Sequence, residues 1–116
     1  MPDPTVLLVA HNPTTVAAVK EAFAATDLLR LEVCPDVEQA CPRAVRVNVV
    51  LVLVDLPVGG DEAGVTRLLW AVAQTRRPCA TVILAESYQE HRAAALLRAG
   101  AADFLEVPAD LDKLTH

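Results

Sequence analysis

The chain has 116 residues, 53% of them hydrophobic, and a formal net charge of −5. That length holds one domain with a core of its own and excludes a second. With only two lysines, Lys20 and Lys113, and one basic pair, Arg76-Arg77, it lacks the concentrated positive field that a nucleic acid or an anionic membrane surface requires.

The predicted elements alternate between strand and helix. Thr5–Ala10 is a short aliphatic strand. Asn12 can cap a helix, Pro13 suits its first turn, and Thr14–Ala25 follows with Val16, Val19, Ala22 and Phe23 at helical spacing. Leu29–Cys34 alternates apolar and polar residues, as a strand near a sheet edge does. Pro35-Asp36 opens a second helix, Val37–Val45, which Pro42 should keep short, kinked or irregular. Asn48–Asp55 is a central strand, and its six aliphatic residues Val49–Val54 suit a strand buried on both faces. A Gly-containing loop leads to a third helix, from Asp61 or Glu62 to about Thr75, with Val65, Leu68, Leu69 and Val72 as its stripe and Trp70 on its flank. Pro78–Ala85 is a fourth strand. Tyr88–Ala99 is a fourth helix ended by Gly100, Ala102–Val107 a fifth strand, and Pro108–His116 the start of a last helix.

Cys34, Cys41 and Cys79 form no C-x-x-C pair and are odd in number, so neither a zinc site nor a disulfide framework is indicated. Buried or half-buried free thiols in a reducing compartment fit better. Met1-Pro2-Asp3-Pro4 has no basic n-region, and the first apolar stretch, Val6–Ala10, is too short to span a bilayer. The expected location is the cytoplasm.

Five successive β-α units imply a parallel sheet with right-handed crossovers and helices on both faces. The loops after strands one, three, four and five then converge on one edge. They bring together Ala10-His11-Asn12, Asp55, Ala85-Glu86-Ser87 and Glu106-Val107-Pro108. Ligands and chemistry sit at that edge in open α/β sheets. Asp55, ending the most apolar run of the chain, is the foremost candidate there.

Val6–Val9 before Pro13, Val49–Asp55 followed by a Pro/Gly loop, and Leu96–Leu105 followed by Pro108 together resemble a response-regulator receiver domain of two-component signalling. The resemblance spans the whole chain. It implies a flavodoxin-like (CheY-like) doubly wound α/β fold with strand order 2-1-3-4-5. Residues 1–116 would be one receiver-like domain, standing alone or forming the N-terminal part of a longer regulator.

The resemblance also locates a pocket, and this sequence departs from it. The family places two metal-binding acids after strand one; here stand Ala10 and His11, followed by Asn12. The family's hydroxyl at the end of strand four is Ala85, unless a shift of alignment brings Ser87 there. The family's lysine before the last proline is Val107. Asp55 alone matches, at the phosphoacceptor position. Mg²⁺ requires hard oxygen ligands, and phosphoryl transfer to a carboxylate requires cations to neutralise the charge. The expectation is a degenerate, pseudo-receiver pocket with Asp55 unused, no metal or other cofactor, and no enzymatic activity. A His11–Asp55 ion pair is a sharper expectation, since both lie on the same edge.

The implied function is a phosphorylation-independent protein-interaction module in bacterial signal transduction or transcriptional regulation. Its partner would be a protein or an effector domain. The alternative is a working receiver phosphorylated on Asp55 by a histidine kinase, with Mg²⁺ as its cofactor. The expected interaction face comprises Tyr88, His91, Arg92, Phe104, Glu106 and Leu111. His91 should face solvent, Trp70 and Tyr88 should flank the core, and Phe104 should be a fixed surface or half-buried ring. A truncated last helix, anchored by Leu111 and Leu114, would leave apolar surface beside helix one, suited to a partner or to a homodimer. A small-ligand or nucleotide site is disfavoured because residues 10–15 contain no glycine, and hydrolase chemistry because no G-x-S-x-G elbow exists.

Overall fold

A computed structural model of the chain describes residues 4–24, 29–56, 62–76, 78–85 and 90–106. Its elements are β1 (Thr5–Val9), α1 (Pro13–Phe23), β2 (Arg30–Cys34), α2 (Val37–Ala44), β3 (Val49–Asp55), α3 (Glu62–Gln74), β4 (Ala80–Ala85), α4 (Glu90–Arg98) and β5 (Asp103–Glu106). The five strands form one sheet in the order β2-β1-β3-β4-β5, every pair parallel. The parallel sheet is the one expected from the alternating pattern, and its order is the flavodoxin-like one that the receiver-domain resemblance implies. The expected last helix, including its truncation, falls outside the described residues.

Local chemistry sets the helix ends. The Asn12 side chain accepts a hydrogen bond from the Thr14 amide at 2.9 Å, and Pro13 occupies the first turn, where its missing N–H costs nothing. Asp36 caps α2 the same way, accepting from the Gln39 amide at 2.8 Å. Pro42 lies within α2, which stops two residues later. At the end of α4 the Ala101 amide bonds the Leu96 carbonyl at 3.0 Å and the Gly100 amide bonds Leu97 at 3.2 Å. That closure turns on Gly100, whose φ of +120° side chains rarely adopt.

Strand alternation sorts the core into two layers. Leu7, Val9, Val52, Val54, Ile83 and Phe104 face α2, α3 and α4. Val6, Leu8, Leu53, Leu84 and Leu105 face the other way, in one buried cluster with Val19 and Phe23 of α1. Each such aliphatic or aromatic side chain removed from water contributes about 1.5–3 kcal/mol. Between β1 and β3 the register slips: Thr5 pairs with Val49 but Val6 with Leu51. Val50 is thereby left over and 40% exposed.

The apolar surface expected beside α1 depends on residues 108–116, outside the described residues. One expectation is corrected here. Trp70, expected against the core, is 66% exposed. The stripe of Val65, Leu68, Leu69 and Val72 takes the inward side of α3 and turns Trp70 outward.

Candidate functional site

The C-terminal edge of the sheet is built in register. Val9 pairs with Cys34 on one side and Val54 on the other, Asp55 pairs with Leu84, and Ala85 pairs with Glu106. The Leu56 amide donates to the Leu84 carbonyl at 2.8 Å, carrying the β3–β4 ladder one step past the carboxylate. Asp55 is half-buried at this edge. One step beyond the Val9–Val54 pair, its neighbour on the β1 side is Ala10, which is buried. Its neighbour on the β4 side is Leu84, and Ala85 beyond it is also buried. The side chains flanking Asp55 in register are thus methyl and isobutyl groups. They can neither coordinate a cation nor donate a hydrogen bond.

His11 goes elsewhere. It is exposed and borders a cleft of about 480 Å³ between the flank of α1 and the end of β2, together with Lys20, Val33 and Pro35. Asp55 does not line that cleft, and His11 enters no hydrogen bond or ion pair among the described residues. The expected His11–Asp55 pair is not formed. The strand ends at Val9, and the chain then turns back over α1, so residues 11 and 12 leave the sheet plane on the β2 side. Asn12 is spent on capping α1.

Among the described residues no three His, Cys, Asp or Glu side chains group as a metal site. The two positions directly past β1, where the family's acids would stand, hold the buried Ala10 and the exposed His11. Val107 and Ser87, the other pocket positions, lie outside the described residues.

The expected interaction face is only partly a surface. His91 is exposed and Glu106 half-buried. Tyr88 and Leu111 lie outside the described residues. Arg92 is 6% exposed, and its Nε donates to Glu62 Oε1 at 2.6 Å, so it bridges the first turns of α3 and α4 rather than meeting a partner. Phe104 is 6% exposed and shares the core cluster with Ile83, Ala93, Leu96 and Ala101. Its place opposite Ile83 in the ladder puts the ring on the α4 side of the sheet, where burying it is favourable. Both residues are corrections to the docking surface read from the sequence.

The Arg92–Glu62 pair escaped the sequence reading because its partners are 30 positions apart and neither sits in a local charge pattern. The cleft was more accessible. Pro13, Val16, Ala17 and Lys20 recur at i, i+3, i+4 and i+7, which marks a single helical stripe. Of the cysteines, Cys34 is buried and Cys41 and Cys79 are half-buried, all as free thiols. Burial pushes the Cys41 thiol above its ordinary value, with Arg67 pulling it partly back, so it is a protonated, unreactive group at neutral pH.

No protein-family model matches the sequence. No curated protein matches it either. Solved structures do. A response regulator from Thermotoga maritima superposes with a TM-score of 0.77 at 23% identity, over 97% of this chain and 92% of its own. A response regulator receiver protein from Pseudoalteromonas atlantica gives 0.74 at 22% identity, over 90% and 85%. The beryllofluoride-activated DrrB receiver domain gives 0.75 at 17% identity, over 95% and 89%. No helix among the described residues is long and apolar enough to cross a membrane. In strand order, connectivity and extent, the chain has the fold of the response-regulator receiver domains of two-component signalling.

Proposed function

We propose that this chain is a pseudo-receiver: a cytoplasmic protein-interaction module of bacterial signal transduction or transcriptional regulation that works without phosphorylation. It has no enzymatic activity and requires no metal. Its partner is a protein or an effector domain, neither nucleic acid nor membrane, in keeping with a net charge of −5.

The observation that carries this reading is the composition of the edge around Asp55. Buried Ala10 stands on its β1 side, and buried Ala85 ends β4. A phosphoryl group on Asp55 would bring about two negative charges, with no carboxylate pair at the end of β1 to hold a neutralising cation. Positioning and charge neutralisation are nearly all that an enzyme-free phosphoacceptor pocket contributes to phosphoryl transfer.

Asp55 itself favours the second reading, a phosphoacceptor working through an unusual pocket, because it is half-exposed at the right strand end. Two-dimensional amide NMR before and after Mg²⁺ with beryllofluoride separates the two. The pseudo-receiver reading expects no shift at Asp55, Ala85 or Phe104 at millimolar Mg²⁺. Shifts at those residues would replace it with the phosphoacceptor reading.

A further inference from the structure

The face first expected to dock a partner buries Arg92 and Phe104, and a separate cleft lies beside α1. Its floor is apolar. Val16 is half-buried, Ala17 is exposed, and Val33 of the edge strand β2 is half-buried because no further strand or described helix lies beyond it. Pro13 and Pro35 close the upper end, where they present rigid hydrocarbon and no amide N–H.

Among the described residues, the titratable groups lining the cleft are Lys20, a cation, and His11, and no acid lines it, although acids outnumber basic residues in the chain as a whole. The nearby acids are turned away or engaged. Asp36, beside Pro35, is bound to the backbone amide and side-chain amide of Gln39 at the start of α2. Glu32, beside Val33, points to the opposite face of β2 and pairs with Arg46 at 3.4 Å. Glu21, next to Lys20 on α1, is exposed and outside the lining. The Lys20 cation and the His11 imidazole beside an apolar floor, on an otherwise acidic domain, suit an occupant with a carboxylate.

We propose that this cleft docks a short amphipathic protein segment carrying aliphatic side chains and at least one carboxylate, the aliphatic groups seated on Val16 and Val33 and the carboxylate facing Lys20 and His11. The proposal rests on the interaction-module reading and names the surface and the partner chemistry for it. A cleft of about 480 Å³ accommodates a few side chains, which fits an anchoring motif rather than a whole domain face.

The test is selection from a displayed library of random dodecapeptides against the folded domain, followed by amide NMR mapping of a synthetic peptide from the enriched pool. Enrichment of acidic-aliphatic peptides is expected, with shifts at Val16, Ala17, Lys20 and Val33. Lys20→Glu and Ala17→Glu each weaken binding by about tenfold or more, and Lys20→Arg retains it. Both positions are exposed on α1 and Glu is a good helix former, so these variants fold. Enriched peptides without acidic residues, shifts away from the cleft, or affinity unchanged in Lys20→Glu would each overturn the proposal. Failure here leaves the beryllofluoride result at Asp55 untouched, and a positive beryllofluoride result leaves the cleft data intact, so the two readings fail separately.

Discussion

Asp55 and Arg76 show how much one side chain can signify. Asp55 ends a strand of six aliphatic residues, and its meaning depends on its neighbours in register. Ala10 and Leu84, its neighbours in register, bring no oxygen side chain to it. Arg76, two residues past the end of α3, has φ of 55°, a left-handed conformation that a Cβ disfavours. Arg76→Gly should relieve that clash and raise stability by about 0.5–1 kcal/mol, after the extra freedom glycine has in the unfolded chain is subtracted. A urea unfolding curve with an unchanged or lowered midpoint would contradict this account.

At the scale of elements, α4 is fastened at its first turn. Arg92 is almost wholly buried, yet it is charged, and Glu62 at the start of α3 supplies the counter-charge at 2.6 Å. Glu62 is itself about half exposed, so water screens the pair and its loss costs less than that of a fully buried one. Glu62→Gln should lower stability by on the order of 1–2 kcal/mol, with loss of hydrogen-exchange protection at the α4 N-terminus. Unaltered protection there would mean that apolar packing of Ala93 and Leu96 alone holds the helix. Nothing in the sequence around either residue announces this contact, because charge pairing across two β-α units depends on where the helices lie. The helices themselves were legible: Asn12, Asp36 and Gly100 mark ends that the structure realises through the bonds their side chains or backbone make.

For the whole molecule, the proposed independence from metal has a thermodynamic consequence. A cation bound only by the folded state would stabilise it by about 1.4 kcal/mol at roughly ten times its dissociation constant. The melting temperature should not move between chelated buffer and millimolar Mg²⁺. An upward shift that is lost in Asp55→Asn would show that the edge binds the ion after all.

The sequence by itself determined the architecture: the alternation of short aliphatic strands with capped amphipathic helices admits a parallel doubly wound sheet and little else, since both depend on local periodicity and local hydrogen bonding. It also determined which residue types stand at the strand ends. Only the tertiary structure decided that His11 turns toward α1 and β2 rather than Asp55, that Arg92 and Phe104 are interior, that Trp70 is exterior, and that no acid among the described residues lines the cleft with Lys20 and His11. Each of these depends on the direction of a side chain relative to elements distant in the chain. Periodicity places a residue on a face, but only packing decides what meets it there.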